Sequence, residues 1–443
     1  MSGRRHAPRR SVDATPIETE VERLSHEGRG VARVAGKTVF IEGALPDERV
    51  RMRYTRRHGQ YDEGVLLEVL RASPERIAPR CAHFERCGGC SLQHLSSAAQ
   101  IAHKQAVLLE LLEHQADVVP MRVLPPLTAE PWAYRRRARL SVRYVFKREE
   151  LLIGFREKHS HYVTDLRRCE TLVPAVGTRL VELRALLGQL SCAADIPQIE
   201  IAAGDDEVAL LVRHLRPLSE ADRERLRSYA AASGLRIYAQ AGAIDSLERL
   251  DGPPAPLAYE VDGLRLEFLP GDFVQVNAAM NRVVVPLALE LLDLGSADRV
   301  LDLFCGLGNF TLPLARRAAA VVGIEGDAGL VARAAANAAR LDLEHARFLV
   351  ANLFEAAGIA AIPREAYTRV LLDPPRSGAA ELLEAFDFRG VARVCYVSCN
   401  PVTLARDAAV LVRRHGYRLE AAGVLDMFPH TTHVESIASF VRE

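Results

Sequence analysis

The residues able to do chemistry cluster towards the C-terminal end, in Asp373-Pro374-Pro375-Arg376, Ser398-Cys399-Asn400-Pro401 and Glu435. The apolar run Val394 to Val397 predicts a strand, which places Cys399 at its carboxyl end and before a helix. A cysteine there is placed as a nucleophile, and the N-terminus of the following helix can promote its thiolate. Such a thiolate suits methylation of an unactivated pyrimidine carbon. C5 of uracil is a poor nucleophile. A thiolate that adds to C6 turns the ring into an enolate with C5 as an activated carbon. C5 then takes a methyl group, a base removes the C5 proton and the thiolate is expelled. One hard step becomes several easier ones. Glu435 is the candidate base, because a carboxylate in a dry pocket has a raised pKa and can shuttle a proton. The bland alternative, an inert buried thiol, fits Cys395 within the strand better than Cys399 at its end.

A methyl donor needs its own site. The stretch Asp302 to Phe310, with Gly306 and Gly308, follows one predicted strand and precedes a helix. Its glycines permit a tight turn and close approach of backbone to a ligand. Glu325 ends the next strand, 19 residues after Gly306, where a carboxylate can take both hydroxyls of a ribose. The turn lacks the G-x-G-x-x-G spacing of dinucleotide enzymes, which favours S-adenosylmethionine (SAM) over NAD. Pro374 and Pro375 stop a strand and hold Asp373 at the same edge. In Phe273-Val-Gln275-Val-Asn277 the polar side chains alternate, as on one surface of a strand. His430 and His433 have no evident third metal ligand and read better as pocket lining or base stacking.

A second cluster is Cys81-x5-Cys87-x2-Cys90, with a distant fourth thiol at Cys169. No export signal precedes these cysteines, so metal binding is a better default than disulfides. Four thiolates hold zinc or an iron–sulfur cluster, and the spacing alone does not choose between them. It does not fit the Cys-x3-Cys-x2-Cys of radical-SAM methylthiotransferases. Cys192 and Cys305 read as ordinary core or turn cysteines.

These groups are positioned by an α/β framework. The 443 residues are 49% hydrophobic with zero formal net charge, enough for several domains and a large core. No apolar run is long enough to span a membrane. Residues 1–13 read as a basic disordered tail. Short runs such as Val31–Val34, Thr38–Ile41, Arg49–Tyr54 and Val65–Val69 predict a small OB-like barrel. Residues 1–60 hold 13 Lys+Arg against 8 Asp+Glu, and residues 131–170 hold 11 against 5. Such basic patches suit phosphate binding, and Tyr134 to Arg139 is a candidate phosphate track. Apolar spacing predicts a helix over 97–115. From residue 270 onwards strands and helices alternate, with strands at Val300–Leu303, Ala320–Ile324, Arg347–Val350, Val370–Leu372 and Val394–Val397, which predicts a Rossmann-like, doubly wound sheet.

Taken together and in this order, these motifs closely resemble the RNA (uracil-5-)-methyltransferase family, and the barrel resembles its TRAM domain. The barrel and four-cysteine set resemble the 23S ribosomal RNA branch. The resemblance implies SAM-dependent formation of 5-methyluridine at a specific uridine of 23S rRNA, with Cys399 as nucleophile and Glu435 as base. It implies a SAM site lined by Gln275, Phe304, Asn309, Glu325, Asn352 and Asp373, and a [4Fe–4S] cluster on Cys81, Cys87, Cys90 and Cys169. Asn352 stands where many SAM enzymes place Asp; its carbonyl still suits the adenine amine. The implied organisation is a TRAM barrel over 14–73, an α+β iron–sulfur and RNA-binding domain over 74–96 and 129–268, and a methyltransferase domain over 97–128 and 269–443. A monomeric cytoplasmic enzyme acting on a flipped or single-stranded uridine is expected, with no membrane partner. The competing readings are the same chemistry on transfer RNA, and a non-catalytic iron–sulfur protein that binds RNA or senses redox state.

Overall fold

The computed structural model describes residues 15–242 and 246–442; the tail over 1–13 lies outside the described residues. Two compact units are present. One comprises residues up to 80 with 90–103 and 430–432. The other comprises 81–89, 104–429 and 433 onwards.

The first unit contains strands β1 (Ile17–Leu24), β2 (Gly30–Val34), β3 (Lys37–Glu42), β4 (Arg49–Arg57) and β5 (Tyr61–Arg71), closed into a barrel in the order β1-β2-β3-β5-β4. The period-2 pattern of β4 explains the closure. Val50, Met52 and Tyr54 point inward beside Val21, Ala32, Val39 and Ile41, while Arg49, Arg51 and Arg53 alternate with them on the outer side. Glu48, fully buried, accepts from the backbone N–H groups of Leu45 (2.8 Å) and Ser73 (3.3 Å) and pairs with Arg76.

The second unit contains β6 (Arg122–Val123), β7 (Arg137–Val145), β8 (Glu150–Gly154), β9 (Gln198–Ala203), β10 (Val208–Arg213), β11 (Arg236–Gln240), β12 (Leu247–Arg249), β13 (Leu257–Val261) and β14 (Leu264–Phe268). It continues with β15 (Arg299–Leu303), β16 (Ala320–Glu325), β17 (Ala346–Val350), β18 (Arg369–Leu372), β19 (Arg393–Ser398), β20 (Arg418–Leu425) and β21 (Glu435–Val441). One sheet runs β12-β11-β10-β9-β7-β8 and another runs β17-β16-β15-β18-β19-β21-β20-β6; β13 and β14 form a hairpin.

In the eight-stranded sheet, β15 to β19 are parallel and β21 is antiparallel to both β19 and β20. The inner parallel strands β15, β16, β18 and β19 read as apolar runs because they are buried, whereas β17 at the sheet edge is mostly exposed. Chain order reverses between β15 and β18, which opens a crevice at their carboxyl ends. The register puts Leu303 beside both Ile324 and Leu372. The loops beginning at Phe304, Gly326 and Asp373 therefore leave the sheet at one edge, and Cys399 follows β19 at that edge. This is the doubly wound architecture expected, with the barrel. The stretch Phe273–Asn277 departs from expectation: it is an irregular segment, not a strand. Asn277 turns instead to cap the helix Ala278–Leu292, accepting from Met280 N (3.2 Å).

Gly358, in the short helix Ala356–Ala360, has no room for a side chain. An added Cβ would lie 2.0 Å from the Asn352 carbonyl oxygen. Gly→Ala ordinarily strengthens a helix by up to about 1 kcal/mol. Here Gly358→Ala is expected to destabilise the protein by about 1–3 kcal/mol through overpacking, read by denaturant unfolding.

Candidate active site

Cys399 and Glu435 meet because of a strand register. Ser398 lies opposite Ser436 in the β19–β21 ladder, and Ser436 Oγ donates to the Ser398 carbonyl at 3.3 Å. One residue beyond that pair, Cys399 leaves β19 as Glu435 enters β21. Asn400 caps the next helix, Pro401–Arg413, by accepting from Val402 N at 3.2 Å, and its amide donates to the Arg376 carbonyl at 2.9 Å. The loop carrying Asp373 is thereby tied to the loop carrying Cys399. Buried Asp407 braces the same region, accepting from Ala379 N (2.7 Å) and Tyr396 OH (2.6 Å).

The site is dominated by buried acid groups. Burial pushes Glu435 up to about 8, with Asp373 adding to the rise and Arg376 and Lys104 opposing it. Burial and Glu325 push Asp373 to about 7. Beneath them Asp302, fully buried and bonded to Thr311 Oγ1 at 2.5 Å, is pushed to about 8. The Cys399 thiol is also raised, to about 12, by burial and then by the charges of Glu435 and Asp373; Arg376 opposes them. Burial thus works against the ionisation that the helix N-terminus is expected to favour. Asn400 already occupies a donor of that helix end.

The residues expected at a methyl-donor site are placed as follows. Phe304 has φ of +66° and packs its ring against Phe354 at 5.6 Å. A positive φ is costly for a bulky residue, and here it turns the chain into Gly306 and Gly308, themselves at φ +57° and +92°. Glu325 accepts from the N–H groups of Gly306 (3.1 Å), Gly326 (2.7 Å) and Asp327 (3.0 Å). The Gln275 amide donates to Asp373 at 3.4 Å. Asn309 is engaged inwards: it exchanges hydrogen bonds with Asn281 at 2.8 and 2.9 Å and accepts from Tyr259 OH at 2.9 Å. Asn352 is exposed at the end of β17, its carbonyl accepting from Phe354 N and its amide donating to Glu355.

Two groups gain importance only in the structure. Lys104, wholly buried, pairs with Asp426 at 2.7 Å. Arg376 lies 3.3 Å from His433, whose ring packs on Phe428 at 5.3 Å. Burial, followed by the cations Arg376, Arg135 and Lys104, lowers His433 to about 4, so it is neutral and suits pocket lining. The arginine track is only partly a surface. Arg136 is buried over the Tyr259 ring and donates to the Gln275 carbonyl, Arg137 reaches the Gly271 carbonyl, and Arg139, mostly exposed, pairs with Glu200. Arg136 thus supports the Gln275 segment and is not available to a phosphate.

Cys81, Cys87 and Cys169 lie close enough for their charges to interact. Burial, with Cys169 and Cys81 adding, pushes Cys87 to about 11; burial, with Cys169 adding, raises Cys81. Gly89 N donates to Cys87 Sγ at 3.4 Å. Cys90 is half-buried. Among the described residues no three His, Cys, Asp or Glu side chains converge at metal-ligand geometry. None of Cys81, Cys87, Cys90 and Cys169 forms a disulfide, and thiols are the donor type that a thiolate-bound group would require.

The tRNA (Uracil-5-)-methyltransferase family model matches residues 258–442, and the TRAM domain model matches residues 16–67. The chain is 52% identical over 438 residues to the 23S rRNA (uracil(1939)-C(5))-methyltransferases RlmD of Alkalilimnicola ehrlichii and of Nitrosococcus oceani, with 98% of each chain covered in both cases. Its fold is similar to that of Pyrococcus abyssi tRNA (uracil-54, C5)-methyltransferase, solved in complex with S-adenosyl-L-homocysteine. The TM-score is 0.75 at 23% identity, over 96% of this chain and 100% of that one.

The acid groups set a pH dependence. Glu435, Asp373 and Asp302 bind protons in the folded chain, below about 7 to 8, that the unfolded chain has released from about 4 upward. Their stabilising contribution is complete at low pH and is lost as pH rises through about 7 to 8. His433 slopes the other way, between about 4 and 6.5, and is one group against three. The melting temperature of the SAM-free protein is expected to fall between about pH 6.5 and about pH 8.5, at roughly 2–4 °C for each kcal/mol. Glu435→Gln should flatten that fall. Scanning calorimetry across this range decides it; a melting temperature that rises with pH contradicts the assignment.

Proposed function

The chain belongs to the RlmD family of 23S rRNA (uracil-C5)-methyltransferases, and on that premise we propose that Cys399 and Glu435 carry out the methylation of a uridine of 23S rRNA at C5. The observation that carries this reading is the β19–β21 register that brings the two residues to one edge. The Cys399 sulfur bonds to C6 and the ring electrons move to O4. C5 then takes the methyl group of SAM, which leaves S-adenosylhomocysteine. The Glu435 carboxylate accepts the C5 proton, the C6–S bond breaks and the ring double bond returns. Burial keeps protons on both Cys399 and Glu435 in the free chain; both pass to solvent as the substrate docks, which leaves a thiolate to add to C6 and a carboxylate to take the C5 proton. Arg376 is the cation placed to favour both ionisations.

SAM sits at the carboxyl edge, with Glu325 on the ribose hydroxyls, Phe304 against the adenine and Asn352 at its amine. Gln275 and Asp373 face the methionyl end. Asn309 acts through Asn281 and Tyr259, holding the turn in place. The target uridine is flipped out or single-stranded, since C6 is inaccessible within a helix, and the protein works as a monomer. The organisation is the one the sequence implies: a TRAM barrel over 14–73, an iron–sulfur and RNA-binding part over 74–96 and 129–268, and the methyltransferase part over 97–128 and 269–443. RNA is held by the barrel, whose β4 arginines point outward. Cys81, Cys87, Cys90 and Cys169 hold a [4Fe–4S] cluster that orders the loops carrying them. Iron and acid-labile sulfide in anaerobically purified protein, lost in Cys87→Ser, are the expected result; zinc in their place overturns it.

The transfer-RNA reading has behind it the family model over residues 258–442 and a fold likeness at 23% identity, against relatives at 52% identity over 98% of the chain that act on 23S rRNA; a non-catalytic iron–sulfur protein leaves the Cys399–Glu435 pair without a role. The test uses 23S rRNA carrying tritium at uracil C5. SAM-dependent release of tritium to water is expected. Cys399→Ala should lower release by about three orders of magnitude or more while still binding SAM. Glu435→Gln should accumulate a methylated RNA–protein adduct. Release from transfer RNA alone moves the substrate assignment, and near-normal release by Cys399→Ala removes the nucleophile.

A further inference from the structure

One lysine interrupts an otherwise apolar helix face. On the helix Ser97–Ala116, Lys104 lies in line with buried Val107, Leu108, Leu111 and Leu112, and is itself wholly buried. Its ammonium donates to Asp426 Oδ1 at 2.7 Å and to the Phe428 carbonyl at 2.9 Å. Asp426 is 3% exposed, so both charges of the pair are out of water. Exchanging a buried ion pair for apolar residues is often neutral or stabilising. Stability alone therefore gives no reason for a lysine here. Its position does. Phe428 packs on His433, two residues before Glu435, and Lys104 acts electrostatically on both His433 and Glu435.

We propose that Lys104 is a positioning residue for the proton-transfer step: its buried ammonium fixes Phe428 against His433 and, balanced by Asp426, sets the field in which the Glu435 carboxyl works. The proposal rests on Glu435 being the base. The other charged or titratable groups facing Glu435 are Asp373 and Arg376, from the loop after β18, and Cys399, from the end of β19. Lys104 is the one contributed by a helix far away in sequence, and it has a built-in counter-ion. Together they form a pair whose net field on the base changes sign according to which member is removed.

The experiment follows tritium release from C5 of the 23S rRNA substrate against pH, in single turnover, with the full-length protein. Release rises with pH as Glu435 ionises. In Lys104→Met a cation is lost, the carboxylate is disfavoured, and the rising limb should move up by roughly one pH unit. At a fixed pH below the limb that is about tenfold slower release. In Asp426→Asn the ammonium is left unbalanced and the limb should move down. Lys104→Arg keeps the charge and should leave the limb near its original place. If Lys104→Met does not fold, Lys104→Met with Asp426→Leu removes both charges together, keeps the site apolar, and serves as the second variant. With both charges gone its limb should return near that of the unaltered protein and lie above that of Asp426→Asn; a limb that coincides with that of Asp426→Asn overturns the proposal.

Opposite shifts in the two single variants support the proposal, because a purely structural role lowers the rate without moving the limb. Slower release in both with an unmoved limb overturns it. The base assignment fails differently: Glu435→Gln would then keep tritium release and the same limb.

Discussion

The site depends on the antiparallel insertion of β21 between β19 and β20. The preceding strands, β15 to β19, are parallel, and each delivers only its own carboxyl-end loop to the edge. In the proposed mechanism, a nucleophile at the end of β19 needs a partner that arrives from the opposite direction. The chain supplies it by returning antiparallel, so that β21 starts where β19 ends. Side-chain period in a strand is 2, so a slip of one residue in this ladder would turn Glu435 to the other face. The Ser436 hydroxyl on the Ser398 carbonyl lies at the very pair that fixes the register.

Burial is the second constraint, and it acts on both members of the pair in the same sense. It raises the thiol and the carboxyl together, so the resting site is near-neutral; the sequence leads one to expect the rise at Glu435 but not at Cys399. For the mechanism proposed above, a neutral resting site has an advantage: two anions side by side would repel each other and the phosphates of an incoming RNA, whereas protonated partners would not. The cations then matter more than their number suggests. Arg376 opposes the rise at both Cys399 and Glu435, and Lys104 opposes it at Glu435.

Much of the framework is legible in the sequence, and the reasons are physical. Strands buried on both faces read as apolar runs, which is why β15, β16, β18 and β19 stand out. Gly306, Gly308 and the two prolines after Asp373 mark turns that only those residues make easily. Less legible elements fail for equally specific reasons. β1 is largely charged because its outward positions carry Glu18, Glu20, Glu22 and Arg23. β21, Glu-Ser-Ile-Ala-Ser-Phe-Val, is buried yet carries two serines, so its period is weak. Gln275 and Asn277 alternate like strand residues but belong to a segment that ends in a helix cap. Lys104 reads as solvated because lysines seldom lie fully buried; only the fold reveals its partner, 322 residues away along the chain. The inward engagement of Asn309 is likewise a tertiary fact, since its partners Asn281 and Tyr259 lie on other elements.

Asn309 shows how the methyl-donor turn and the catalytic edge are made one object. The turn after β15 has little secondary structure of its own, and Phe304 is held at a costly positive φ. Such a conformation persists only when its surroundings over-determine it. Asn281, on the helix that Asn277 caps, and Tyr259, on β13, both hold Asn309. Arg136 stacks on that same Tyr259 ring and donates to the Gln275 carbonyl, and the Gln275 amide donates to Asp373. The chain of contacts therefore runs from the glycine turn through Tyr259, Arg136 and Gln275 to Asp373, whose loop is tied to Asn400 beside Cys399. A buried arginine that the sequence presents as one of a phosphate-binding row is instead the link between the two halves of the site. It is buried just ahead of β7, while Arg135 and Arg137 on either side of it are only half-buried.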